Sequence, residues 1–251
     1  MAQDAVSGYI SPENFSKKEL KVYLARIKIK DYPDIGASEP VAVSTVTNDG
    51  YFAFKKSLIS EKNALYRVYV KRVKQILKDT LQTDHLFLLS NSDSIRFQKG
   101  SQPFTKFTNS NPADKEWQKM RKFEASLFVD NTTANQNLSD AYLQGVSNYT
   151  KDSIQILMVK LIGIRQLDNR NLLEKDIAKN PDYYLALLKE LKESELDRSE
   201  YLFLENKLAF LTTEVAENKF RQSFALNVFM GILLIGLIIF AYRFIRRKEE
   251  L

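Results

Sequence analysis

The stretch VTNDGYFAF (residues 46–54) decides how the first half of the chain is read. Asn48-Asp49-Gly50 is a tight-turn signal, because glycine accepts positive φ without steric cost. After the turn, Tyr51 and Ala53 fall on one face of a strand and Phe52 and Phe54 on the other. The nine residues therefore predict a hairpin. Working outward, β-branched and aromatic residues alternate or cluster at 6–10, 20–29, 41–47, 51–54, 65–70, 86–89 and 95–98. Short strands at that spacing predict an N-terminal antiparallel β-sandwich over residues 1–110. Residues 73–81 fit a short helix interrupting the set.

From residue 111 the period changes from two to that of a helix. In NPADKEWQKMRKFEASLF (111–128), Asn111 is a cap, Pro112 suits the first helical position, and Trp117, Met120, Phe123 and Leu127 share a side. Ile154, Leu157, Leu161 and Ile164 form a second stripe. Asn180-Pro181 opens a third helix, with Tyr184, Leu185, Leu188 and Leu191 expected inward. The polar run 130–139 is expected as a loop. The fold class is thus α+β, with the sandwich followed by a helical domain over 111–221.

The end of the chain is different in kind. Residues 222–242 carry no charge and include Phe224, Asn227, Gly231, Gly236, Phe240 and Tyr242. At 1.5 Å per residue they reach about 31 Å, the thickness of a bilayer's hydrocarbon. A single transmembrane helix is the expectation. Asn227 is its one strongly polar residue and could bond a neighbouring helix, while Gly231 and Gly236 lack GxxxG spacing. Arg243, Arg246, Arg247 and Lys248 follow at once, against Lys219 and Arg221 before the span. The basic stub 243–251 is therefore expected in the cytoplasm and the large N-terminal part outside. The start, MAQDAVSG, reads as a mature amino terminus left by signal peptidase, with a Met added.

Just ahead of the span, Tyr201, Leu204, Leu208, Leu211 and Val215 step by three and four. No Pro or Gly occurs between Ser199 and Phe229. One helix could therefore run from the outer body into the membrane. Its stripe is expected either to dock on the helical domain or to pair in a homodimer.

Chemistry is not legible. The chain has no cysteine and one histidine, His85, which excludes thiol nucleophiles, Cys-based metal sites, multi-His metal sites and histidine triads. His85 is read as a strand-end residue rather than a ligand. No Gly-rich phosphate loop or nucleophile elbow occurs. The net charge of +6 is spread without the dense basic face of a nucleic-acid domain. No catalytic residue, cofactor or metal is expected, and the expected partners are the lipid bilayer and a protein of the cell envelope.

The residues VSGYI, LKVYLARI, VAVSTVTNDGYFAF, NALYRVYV and DHLFLLSNSDSIRF, in that order, resemble the small β-sandwich that opens certain periplasmic proteins of Gram-negative bacteria. NRNLLEKDIAKNPDYYLALLKELKE resembles that sandwich's helical companion. With one span and a basic juxtamembrane stretch, the whole looks like the sensory part of membrane-bound LuxR-like helix-turn-helix regulators, although no helix-turn-helix pattern lies in this sequence. The resemblance implies a periplasmic domain that senses a protein or peptide and signals across the inner membrane to transcription. The alternative is a non-signalling, anchored subunit of an envelope complex, and a third reading is a tail-anchored adaptor facing the cytosol.

Overall fold

In a computed structural model the chain divides into two compact units, residues 1–203 and 204–251. The described residues are 4–11, 20–33, 39–70, 84–129 and 138–211. The expected helix at 73–81, most of the expected loop at 130–139, and everything from 212 onward lie outside them.

Among the described residues eight strands form two four-stranded sheets. The first runs β4 (Tyr51–Lys55), β1 (Asp4–Tyr9), β7 (Ile95–Phe97), β8 (Phe107–Asn109). The second runs β3 (Ala42–Thr45), β2 (Lys21–Ile27), β5 (Ala64–Val70), β6 (Asp84–Leu89). Every pairing is antiparallel except β1 with β7, which is parallel. The purely antiparallel expectation is corrected there. β8 is an additional strand that no period in the sequence marked.

The turn at 48–50 forms as expected, with Gly50 at φ 92° and its N–H donating to the Thr47 carbonyl at 2.9 Å. The strands on either side do not make a hairpin. β3 pairs with β2 and β4 pairs with β1, so the turn carries the chain from one sheet to the other. The pattern within β4 holds, with Phe52 and Phe54 buried and Tyr51 and Ala53 half-buried.

The two sheets share one apolar core. Val6, Phe52, Phe54, Ile95 and Phe97 come from the first sheet and Val22, Leu24, Tyr66, Val68, Phe87 and Leu89 from the second. Aromatic edges dominate the contact, with Phe52, Phe97 and Phe104 meeting at centroid distances of 5.3–6.2 Å. The sheets are not joined along their edges into a closed sandwich, so the coarser description, a mixed α+β body with two four-stranded sheets, is the one the structure supports.

The opposite face of the second sheet carries the helices. Ala25, Ile27, Leu65 and Leu88 are buried although none belongs to the inter-sheet core. α1 (Pro112–Val129) lies along β6, with Trp117 and Met120 buried and Phe123 and Leu127 half-buried. α2 (Leu138–Asp152) and α3 (Leu157–Asn169) pack on α1, α4 (Leu173–Lys179) packs on α3, and α5 (Pro181–Glu193) on α4. A sixth helix, α6, occupies 198–211 of the described residues. On α5 the inward face is Tyr184, Leu187 and Leu191, whereas Leu185 is 45% exposed. That corrects its expected placement: one residue after Tyr184, it stands about 100° around the helix from the buried line.

Asn111 caps α1 as its sequence position predicted. Its Oδ1 accepts the Asp114 N–H at 3.0 Å, while its Nδ2 donates to Asn63 and to Asp93 at 2.7 Å each. Asp114 in turn closes the free edge of β6. Its carboxylate accepts the Leu88 N–H at 2.9 Å, and Asn109 Nδ2 donates to the Leu88 carbonyl at 3.1 Å. Burial holds the Asp114 carboxyl above its ordinary pKa, partly offset by that Leu88 bond. Among the described residues this edge is thus capped by two side chains and by no further strand.

His85 faces the inter-sheet space, 8% exposed, with its ring 4.3 Å from Phe107 and 5.6 Å from Phe97 between centroids. Burial, then the positive charge of Arg121, pushes its pKa down from 6.5 to about 4. Between those two pH values the unfolded chain binds a proton that the folded chain refuses. Stability is therefore complete above pH 6.5 and falls as pH drops towards 4, by up to about 3 kcal/mol from this residue. Denaturant titrations stepped through that range are expected to show the slope, and His85→Phe to flatten it. Equal slopes in the two proteins would refute the assignment.

Candidate functional site

Among the described residues no group of three or more His, Asp or Glu stands together in a way that could hold a metal ion. The expected transmembrane residues Phe224, Asn227, Gly231, Gly236, Phe240 and Tyr242, and the basic Arg243, Arg246, Arg247 and Lys248, lie outside the described residues, as does Val215. Among the described residues no helix is long and apolar enough to cross a membrane. The rest of the stripe lies on α6: Tyr201, Leu204 and Leu208 are buried, Leu211 is half-buried, and Leu202 and Phe210 on the other side are exposed. The three-four spacing therefore does mark the buried face of that helix.

The first turn of α6 is fastened to the end of β2. Beyond Ile27 the strand ladder stops, and the buried Ile29 N–H needs an acceptor outside the sheet. Glu200 Oε2 supplies it at 2.9 Å, and Glu200 itself is 3% exposed. Arg26 stands 3.2 Å from Asp197 and 3.6 Å from Glu200. Both carboxylates sit at the helix's amino end, where its dipole favours negative charge. Arg165 on α3 adds a guanidinium 5.3 Å above the Phe203 ring.

The second feature is the far end of the second sheet, around Tyr23 and Tyr69. Tyr23 and Tyr69 are register partners with stacked rings 5.3 Å apart. Arg67 lies 5.0 Å over Tyr69 and pairs with Asp84 at 2.7 Å. Val43, the partner of Tyr23 on the other side, is 49% exposed. The result is a row of aliphatic, aromatic and charged side chains on a rigid strand surface.

The third is a cleft of about 500 Å³ between α1, α3 and the turn after Ile29, lined by Tyr32, Arg121, Glu124, Gln166, Asn169 and Arg170 among others. Tyr32 forms its floor. Its ring meets Trp117 edge-on at 6.0 Å, its carbonyl accepts Asn169 Nδ2 at 2.8 Å, and its phenol oxygen accepts Gln166 Nε2 at 3.2 Å. Burial pushes the phenol's pKa up, so it stays protonated. Arg121 lies 5.4 Å over the Trp117 ring. Glu124, one turn further on, accepts the Tyr142 hydroxyl and stands 3.7 Å from Arg170, whose guanidinium covers the Tyr142 ring at 4.3 Å.

None of these three places was singled out by the sequence. A signal did exist on the helices: Trp117 and Arg121 are four apart, and Gln166, Asn169 and Arg170 fall on one helical face. No pattern, however, linked those positions to Tyr32, which lies some ninety residues before the α1 pair and more than 130 before the α3 group. No protein-family model matches the chain, and a search of curated protein sequences finds no match for it.

Proposed function

We propose that this chain is a single-span protein of a bacterial inner membrane. Its folded body stands in the periplasm, binds a protein or peptide partner there, and passes the event through the last helix to the cytoplasm, as the sensory part of a membrane-bound transcriptional regulator. The observation that carries the reading is the uncharged run 222–242, closed by Arg243, Arg246, Arg247 and Lys248. Two features of the body support it. The strand face with Tyr23, Tyr69 and Arg67 has the aromatic and guanidinium make-up found at protein-binding surfaces. The start of α6 is tied to β2 through Glu200, so a shift in the strand layer reaches the first turn of that helix. A partner could move that helix only by the difference in its affinity for two arrangements of the body.

The chain has no cysteine, so single introduced thiols report topology directly. Lys119 is exposed on α1 and suits the outer probe, and Glu249 the inner one. In cells with a permeabilised outer membrane, an impermeant maleimide is expected to label Lys119→Cys at once and Glu249→Cys only after lysis. The reverse order, or recovery of the protein in the soluble fraction without detergent, would overturn the proposal.

A further inference from the structure

We infer that the cleft between α1, α3 and the turn after Ile29 binds a free α-carboxylate whose α-carbon also carries an N–H group. A free amino acid or the carboxyl end of a peptide has this chemistry. The inference stands apart from the membrane topology and concerns a second site, distinct from the Tyr23–Tyr69 strand face.

The site lacks two complements. The first is an anion. Among the described residues Arg121 has no carboxylate within ion-pair distance, because the nearest acidic side chain along α1, Glu124, is engaged by the Tyr142 hydroxyl and Arg170. Stacking on Trp117 holds the Arg121 guanidinium in place, and its fork of N–H groups matches a carboxylate in two parallel bonds. The second is a hydrogen-bond donor. Gln166 is 8% exposed, its Nε2 is used on Tyr32, and its Oε1 has no partner among the described residues. A buried carbonyl in that state, closed to solvent in the free protein, is stabilised by an N–H or ammonium that reaches it as a ligand seats in the cleft. The Tyr32 phenol, already accepting from Gln166, keeps its own hydrogen to give to an incoming oxygen.

An α-carboxylate with a neighbouring N–H meets both needs in one small fragment. The carboxylate takes Arg121 and the Tyr32 hydroxyl, and the N–H takes Gln166 Oε1. A cleft of about 500 Å³ falls within the roughly 300–1,000 Å³ usual for small-ligand sites, enough for one amino acid or a terminal residue. The Glu124 carboxylate on the same wall would favour an ammonium over an amide.

Trp117 is the only tryptophan and lies directly beneath Arg121, so its fluorescence reports the site without a label. The full chain in detergent micelles is titrated with the twenty L-amino acids, their N-acetyl derivatives and their carboxamides. At least one free acid or N-acetyl acid is expected to change Trp117 emission saturably, with a Kd below about 1 mM, and its carboxamide to bind about tenfold or more weakly. Arg121→Gln is expected to lose binding by a similar factor without a change in melting temperature, because the side chain is exposed. Binding of the free acids alone identifies an amino acid as the ligand, and equal binding of the N-acetyl forms identifies a chain end. Saturation by no compound, carboxamides as tight as acids, or Arg121→Gln binding unchanged would each overturn the inference.

Discussion

Replacing Asp176 with Ala is expected to lower the free energy of unfolding by about 3–5 kcal/mol, the scale on which removal of one partner leaves a buried charge uncompensated. Asp176 lies on α4, is 3% exposed, and gathers donors from two other helices and a loop. Ser147 Oγ donates from α2 at 2.7 Å, Lys151 Nζ stands at 3.1 Å, Asn180 Nδ2 donates at 3.0 Å, and the Tyr184 hydroxyl donates from α5. Burial by itself would raise the pKa of this carboxyl. The bonds from Tyr184, Ser147 and Lys151, together with the Lys151 charge, outweigh it and hold the group below its ordinary 3.8. Its contribution is therefore present above that value and lost as pH falls below it. Alanine strands the Lys151 ammonium, whose side chain is only 15% exposed, along with the hydroxyls of Ser147 and Tyr184. Asp176→Asn keeps an acceptor and is expected to cost about 1–2 kcal/mol. Denaturant melts of the three proteins check this, and a loss under about 1 kcal/mol for Asp176→Ala would mean the hub is not closed.

Gly8→Ala is the second large effect, about 3 kcal/mol or more, against the usual expectation that alanine improves a strand. A Cβ at residue 8 would stand 2.5 Å from both Cβ and the carbonyl oxygen of Phe97 and 2.9 Å from its Cα. Two of those three atoms are backbone, so no side-chain rotation relieves the clash. Gly8 and Phe97 are register partners in the one parallel pair, and Phe97 is a centre of the aromatic core. Separating β1 from β7 therefore also pulls Phe97 away from Phe52 and Phe104. Calorimetry on the variant reads the shift directly, and an unchanged or raised melting temperature would contradict the close approach. The glycine of the VSGYI stretch is thereby accounted for by contact rather than by φ.

How far the fold was legible depended on the range of the interaction. The seven expected strands all form within a few residues of the positions read, because alternation and turn chemistry are local. Which sheet each joins was not legible, since β1 pairs with β7 across some ninety residues and nothing in VTNDGYFAF says that its two arms part. β8 is three residues, FTN, too short for a period to show. α2 was missed for a different reason. Its buried line runs through Tyr142, Val146 and Thr150 beside Leu143 and Ser147, and a hydrophobic count passes over the polar members that Asp176 and the packing satisfy. The buried face of α6 was legible because its stripe is purely apolar and aromatic. The cleft was not: its parts come from residues 32, 121–124 and 166–170.

The capping of β6 by Asp114 and Asn109 has a consequence for how the body can be cut. A truncation near residue 110 would remove Asp114 and orphan the Leu88 amide on an edge whose sequence, DHLFLL, is strongly apolar. Such a fragment would carry a sticky border that recruits foreign strands. The helices thus serve the sheets as a built-in chaperone, and the β-layers are safest when α1 travels with them.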